Sequence, residues 1–153
     1  MVVAVSNIMQ SKDDIAFQHW SLKVGRMDPN TRIVPAVFGQ IVTSLDDLDQ
    51  AIATIILTQP GSVPTSPEKG CDLLPYIDLP SNEAIPKVGR AVWDALTMWE
   101  PRIVLTDVSV YETSYARLSC NIYWQPVESV IDDLRSTTVP LNSSGQSLAG
   151  VLQ

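Results

Sequence analysis

The nine residues TMWEPRIVL, 97–105, contain the point at which the apolar residues of this chain change their spacing. Before Glu100 they recur at the period of a helix, and after Arg102 they alternate as in a strand. Pro101 disfavours the helical conformation for the residue that precedes it, so Glu100 is the expected end of the helix. The tripeptide Glu100-Pro101-Arg102 therefore predicts a junction between a helix and a strand.

Two helices are predicted from apolar periodicity. One runs over residues 86–100, with Pro86 in its first turn. The other begins at Ser44, with Asp47 three residues later as a capping signal, and ends before Pro60. Their apolar stripes are Ile85, Val88, Val92, Leu96 and Trp99 in the later helix, and Leu48, Ile52, Ile55 and Ile56 in the earlier one.

The residues after the junction predict a β-hairpin that turns near Thr113-Ser114. In IVLTDVSVY, 103–111, one side of the strand consists of Val104, Thr106, Val108 and Val110. In RLSCNIYW, 117–124, the apolar side consists of Leu118, Cys120, Ile122 and Trp124. Weaker strand patterns occur in WSLKV, 20–24, and GQIVT, 39–43.

Polar segments surround these elements. Residues 62–82 are rich in Pro, Gly and Ser, which indicates a long connection without regular structure over most of its length. The C-terminal residues 136–153 are rich in Ser and Gly and are predicted to form an arm. The expected fold class is α+β, with two main helices packed on a small, mostly antiparallel sheet and extended N- and C-terminal arms.

Composition limits the classes of partner. The 153 residues suit one domain, and 45% apolar residues suffice for a core. A net charge of −7 with only ten Lys and Arg argues against nucleic-acid binding. The first fourteen residues lack a basic region and turn acidic, so neither a signal peptide nor a membrane span is expected. Cys71 and Cys120 allow a disulfide, but two reduced thiols are favoured.

The search for catalytic chemistry yields few candidates. His19 has no neighbouring cysteine or serine motif, so a catalytic triad or a histidine metal site has little support. Three acidic residues open the first helix, where they favour the positive end of its dipole: Asp46, Asp47 and Asp49. No nucleotide-binding glycine motif is present. The sequence therefore predicts neither an enzyme nor a cofactor.

Glu100 allows three interpretations. Its carboxylate meets the unfavourable end of the helix dipole, so it requires a cation, and Arg102 is the nearest. The pair could be a helix stop with a local ion pair, which is the commonest outcome for such residues. Glu100 could also be a catalytic acid, for which a glycosidase would need a second carboxylate. Candidates for it by residue type are Asp72, Asp78 and Asp107. The third interpretation is a polar docking point for another chain.

The order of these features resembles the phage baseplate-wedge family, which includes the gpW-type and Mu-like baseplate proteins. The resemblance covers residues from about Gly39 to Tyr123. It comprises the helix that ends in LTQPGSVP, the segment PEKGCDL and the junction WEPRIVL. Family members are structural baseplate subunits of contractile tails, related to a baseplate component of type VI secretion systems. Some have been labelled tail lysozymes, so a peptidoglycan hydrolase that uses Glu100 as its acid is the alternative.

The resemblance implies a sheath initiator located in the tail baseplate of a virion and assembled in the host cytoplasm. Its expected partners are other wedge proteins and the tail sheath protein, with the tail tube as a further candidate, and neither nucleic acid nor membrane. The family's signature contact with the wedge core bundle corresponds here to Glu100, Pro101 and Arg102.

The hairpin has lightly charged strands, and we expect one of its edges to accept a sheath strand. The residues predicted at that edge are Val104, Val108, Val110, Ser119 and Asn121. The expected organisation is an N-terminal extension over residues 1–38, a baseplate-wedge core domain over 39–125 and a C-terminal arm over 126–153.

Overall fold

The chain consists of two units, Met1–Gln50 and Ala51–Gln153, whose boundary lies inside the first helix. The computed structural model describes residues 19–25, 36–76, 78–114, 117–127 and 134–142. The expected domain boundaries at residues 38/39 and 125/126 stay predictions.

The first unit contains a small antiparallel sheet formed by the two weakly predicted strands. Strand β1 (Trp20–Leu22) pairs with β2 (Ile41–Thr43), and helix α1 (Ser44–Leu57) follows β2 directly. The Gln50 side chain joins the helix to the sheet, because its Nε2 donates to the Leu22 carbonyl at 2.8 Å. Its Oε1 accepts from the Val24 amide at 2.8 Å. Both strand predictions are confirmed.

The apolar stripe predicted for α1 is buried as expected. Leu48, Ile52, Ile55 and Ile56 are each at most 4% exposed. Asp46 and Asp47 occupy the first turn of the helix, where their charges favour the positive end of the dipole.

The connection after α1 is held together by backbone hydrogen bonds. The Cys71 amide donates to the Thr58 carbonyl at 2.9 Å, and the Gly61 amide donates to the Pro67 carbonyl at 2.6 Å. A short 3-10 helix, Leu74–Tyr76, is the regular structure in the described part of this connection. The sequence therefore correctly predicted a long, mostly irregular segment.

Helix α2 (Ser81–Trp99) begins five residues before the predicted start. The Pro80 carbonyl accepts hydrogen bonds from the Glu83 and Ala84 amides, both at 2.9 Å, which starts the helix ahead of Pro86. Pro86 lies inside the helix, so its missing N–H removes one internal hydrogen bond without ending the helix. The buried positions are Ala84, Val88, Val92, Ala95 and Leu96.

The second unit contains an antiparallel sheet in the order β3-β4-β5. Strands β3 (Ile103–Ser114) and β4 (Arg117–Pro126) form the predicted hairpin, and the linking residues 115–116 lie outside the described residues. Strand β5 (Arg135–Asn142) pairs with β4 on its other side. The prediction that 136–153 is an arm is therefore wrong for residues 136–142. Their strand pattern is short and is interrupted by Pro140, which an outer strand tolerates.

A β-bulge changes the face to which β3 directs its side chains. The register shifts between Leu105 and Asp107, so the alternation restarts there. Val104 is 52% exposed, whereas Val108 and Val110 are half-buried beyond the bulge. The prediction that these three valines share one side is wrong for Val104.

The core of the second unit is centred on Trp124. Its ring is fully buried, and its Nε1 donates to Thr137 Oγ1 on β5 at 2.8 Å. Cys71 and Cys120 are buried free thiols, as the sequence favoured. Burial raises the pKa of each thiol to about 12. Helix α2 packs on β3, and the fold class is α+β as predicted.

Candidate functional site

The Glu100-Pro101-Arg102 tripeptide turns the chain from α2 into β3. Glu100 ends the helix, since its amide still donates to the Leu96 carbonyl at 2.9 Å while its own backbone has φ −126° and ψ 75°. This ψ lies outside the helical region, which the following proline disfavours. The predicted junction is confirmed.

Glu100 and Arg102 form a bidentate ion pair at this junction. Arg102 Nε donates to Glu100 Oε1 at 2.6 Å, and Arg102 Nη2 donates to Glu100 Oε2 at 2.8 Å. The glutamate side chain is 5% exposed, whereas the arginine side chain is 35% exposed. Parallel hydrogen bonds between ionised groups are short and strongly orienting. The local ion-pair interpretation is confirmed, and the buried carboxylate determines where the guanidinium lies.

The backbone of Arg102 adds a second connection at the same place. Its carbonyl accepts a hydrogen bond from the Val127 amide at 3.0 Å, just after β4 ends. Three elements therefore meet at the tripeptide: the end of α2, the start of β3 and the end of β4. The guanidinium therefore extends from a hydrogen-bonded junction of three elements and not from a free loop.

The three carboxylates considered as partners of Glu100 in a catalytic pair lie within the described residues. Both carboxylate oxygens of Glu100 accept hydrogen bonds from Arg102, which holds the side chain in one orientation. Asp107 lies beside Gly89 and Trp93 of α2. Trp93 precedes Glu100 by about two helical turns, which is roughly 10 Å along the axis of α2. The Asp107 carboxylate accepts from the Val108 amide at 2.8 Å. Asp72 and Asp78 are exposed.

The described residues contain no group of three or more His, Cys, Asp or Glu side chains that could hold a metal ion. Among the same residues, no helix combines the length and apolar character needed to cross a bilayer.

The predicted strand edge needs a correction. Ser119 and Asn121 lie on β4, the central strand of the sheet. Ser119 is paired with Tyr111 on β3 and with Pro140 on β5. These two residues therefore do not lie at an open edge, because a third strand, unrecognised in the sequence, covers the second side of the hairpin. Val104, Val108 and Val110 lie on β3, which is an outer strand among the described residues.

Sequence reasoning missed a groove between α2 and β3. It has a volume of about 370 Å³. It is lined by Ile85, Pro86, Gly89, Arg90, Trp93, Asp107, Val108 and Val110. The available signal was Gly89, a glycine in the middle of a helix, where it costs stability relative to alanine.

Comparisons with known proteins place this geometry among baseplate proteins. The family described as baseplate wedge protein gp25 matches residues 42–126, which is more than half of the chain. The matched stretch includes both helices, β3, β4 and the Glu100-Pro101-Arg102 junction. No curated protein matches the chain.

Solved structures share the fold at low identity. A Geobacter sulfurreducens protein provisionally assigned as a tail lysozyme is 23% identical, with a TM-score of 0.57, over 66% of this chain and 93% of that chain. A chain of the type VI secretion system baseplate complex is 18% identical, with a TM-score of 0.52, over 61% and 88% of the two chains.

A third structure is a chain of the anti-feeding prophage baseplate, 16% identical with a TM-score of 0.48, over 82% of this chain and 86% of that chain. The family match, rather than these likenesses, identifies the chain. It belongs to the baseplate wedge protein gp25 family and is a baseplate wedge-type structural protein of contractile injection machines.

Proposed function

We propose that this chain docks on the wedge core bundle of a contractile phage tail or a related injection machine, and that its sheet templates sheath polymerisation. Docking is assigned to Glu100, Pro101 and Arg102. The observation that supports it is the buried carboxylate that holds a partly exposed guanidinium in one orientation. The proposed location of the chain in a virion is the tail baseplate.

The guanidinium suits the end of a helix in a partner bundle. Arginine presents several N–H donors in one plane, and carboxylates or terminal helix carbonyls accept from such a plane. Because Glu100 already orients Arg102, less side-chain entropy is lost when a partner binds. The tripeptide is then both a helix stop and a docking point.

The templating role is assigned to the outer edge of β3. A strand that adds to this edge would gain affinity from ladder hydrogen bonds, and alternate side chains would set its register. The partner for this step is the tail sheath protein. Val104, Val108 and Val110 remain the proposed contacts, whereas the central position of Ser119 and Asn121 removes them from this edge.

The docking test must separate binding from folding. Arg102→Ala leaves the Glu100 carboxylate buried without this partner, which typically costs about 3–5 kcal/mol, so this variant alone is ambiguous. The double variant Glu100→Met/Arg102→Met removes both charges together, and replacing such a pair by apolar residues is often neutral for stability. We expect it to fold with a Tm close to wild type and to lose binding to the purified wedge core subunits of the same machine.

A control variant removes an exposed ion pair from within α2. Lys87 and Glu83 are 3.5 Å apart, and their side chains are 49% and 55% exposed. The variant Glu83→Met/Lys87→Met should retain wedge binding. Docking through the tripeptide would be refuted by a folded Glu100→Met/Arg102→Met variant that binds the wedge as tightly as wild type.

We also propose that the chain is not an enzyme. The observation that supports this is the ion pair, in which both carboxylate oxygens of Glu100 accept hydrogen bonds from Arg102. Purified protein should not clear a peptidoglycan suspension, as measured by turbidity. Clearing by wild type that disappears in Glu100→Gln would establish the tail-lysozyme alternative instead.

A further inference from the structure

The β3-β4-β5 sheet has one buried face and one open face. Ile122 and Trp124 of β4 are fully buried, and Asn121 and Tyr123 alternate with them along the strand. Because strand side chains alternate between faces, Asn121 and Tyr123 point away from the core. The register places residues of β3 and β5 beside them. Six of the residues that share this open face are Ser109, Tyr111, Asn121, Tyr123, Ser136 and Thr138.

The open face carries little charge. Between Arg117 at one end of the sheet and the Arg102 junction at the other, the register directs one charged side chain among the described residues to this face, that of Asp107 at the bulge. The surface of α2 is different, since it carries two exposed ion pairs. Tyrosines and a depletion of charge are typical of the core of a protein–protein interface. The open face therefore has the composition of a contact surface.

Hydrogen bonds between strands order side chains of the open face. Thr138 Oγ1 donates to Asn121 Oδ1 at 2.8 Å, which joins β5 to β4. The hydroxyls of Thr113 and Ser119 are hydrogen-bonded at 2.8 Å, which joins β3 to β4. Side chains that are already ordered lose less conformational entropy when a partner binds. The open face is thus preorganised for a contact.

The open face extends to the Glu100-Pro101-Arg102 junction. Tyr123, Gln125 and Val127 follow one another at steps of two residues, so they lie on the same face. Val127, just after β4, is 55% exposed, and its amide donates to the Arg102 carbonyl at 3.0 Å. A partner that binds the junction is therefore in the position to cover the open face as well.

We propose that the wedge subunit which binds this junction extends over the open face, and that the surface it places there is uncharged. A charged group buried against hydroxyl, amide and tyrosine side chains would lose its hydration without gaining an opposite charge. Backbone, hydroxyl or apolar groups are the matching chemistry. A second copy of this chain is a less suitable occupant, because each copy carries a net charge of −7. The inference rests on the proposed docking function and adds to it a second contact area.

The test introduces one charge into the open face of the full chain. Ser109 and Ser136 are exposed and lie on the two outer strands. Ser109→Lys and Ser136→Lys should each keep a Tm close to wild type, since substitutions of exposed residues change stability little. Each should weaken binding to the purified wedge core subunits by about tenfold or more, because the ammonium group is buried without a partner.

A control variant and a salt series separate this effect from general electrostatics. Thr65→Lys adds the same charge at an exposed position in the connection after α1 and should leave wedge binding unchanged. The loss of binding by Ser109→Lys and Ser136→Lys should persist in about 1 M NaCl, where the Debye length is about 3 Å. It should persist because it arises from desolvation of the charge and not from long-range repulsion.

Three outcomes would overturn this inference. Wedge binding by both lysine variants that equals wild type would show that the partner does not cover the open face. Tighter binding would show that the partner presents acidic groups there. Self-association of the wild type that Ser109→Lys abolishes would assign the open face to a second copy of this chain.

Failure of the proposed docking function would give a different pattern. In that case wild-type protein would not bind the wedge core subunits, or the Glu100→Met/Arg102→Met variant would bind them as tightly as wild type. A third pattern refutes only the extension over the open face: wild type binds, the double methionine variant does not, and both lysine variants bind as wild type does.

Discussion

Replacing Gly70 by alanine tests how closely the connection after α1 is packed against itself. Gly70 has φ +130°, and a Cβ built on it would lie 2.2 Å from the Thr58 carbonyl oxygen and 3.0 Å from its carbon. The neighbouring Cys71 amide donates to that same oxygen at 2.9 Å. A methyl group therefore cannot enter without moving backbone that is hydrogen-bonded at this point.

Gly61 in the same connection separates backbone strain from crowding. It also has a positive φ, +87°, but nothing lies within 4 Å of its built Cβ. For an L-residue, a left-handed conformation costs roughly 1–2 kcal/mol, so Gly61→Ala should lose about that much. Gly70→Ala should lose a further ~1–3 kcal/mol, because it displaces the acceptor of the Cys71 amide. The expected totals are about 1–2 and about 2–5 kcal/mol.

Urea denaturation of the two variants measures this difference. We expect both midpoints to fall, with Gly70→Ala falling further, while the m-value stays constant because the surface exposed on unfolding is unchanged. In thermal melts each kcal/mol corresponds to about 2–4 °C for a chain of this size. If Gly70→Ala were no less stable than Gly61→Ala, the close approach to Thr58 would not constrain this connection.

Three further changes test the core. Trp124→Phe should cost about 1–3 kcal/mol in urea denaturation, because it removes the buried hydrogen bond that Trp124 Nε1 donates to Thr137 Oγ1. Burial raises the pKa of the Cys71 and Cys120 thiols from 9.0 to about 12, so the native state keeps protons that the unfolded state loses. The free energy of unfolding should therefore fall as pH rises from about 9 to 12, measured by denaturation across that range. Leu96→Ala, at a fully buried position, should cost about 2–5 kcal/mol in the same assay.

Elements with local sequence signals could be predicted from the sequence alone. The buried stripe of α1 follows from residues three and four apart, which a helix places on one face whatever it packs against. The end of α2 at Glu100 follows from steric exclusion by the adjacent Pro101. The alternation of β4 was equally visible, since its buried residues Cys120, Ile122 and Trp124 come from one strand. Arg102 was the predicted partner of Glu100, two residues away along the chain.

Features that depend on residues far apart in the chain could be seen only in the folded structure. β5 is stabilised by pairing with β4. Because of this pairing, Ser119 and Asn121 lie on the central strand of the sheet and not at the predicted edge. The bulge in β3 is a shift of its register against β4. The alternation within β3 alone therefore could not show that Val104 and Val108 lie on opposite faces of the sheet. The α2–β3 groove likewise exists only where two elements meet. Periodicity reports which face of an element is apolar, whereas strand order and register depend on free energies of contact between residues far apart in the chain.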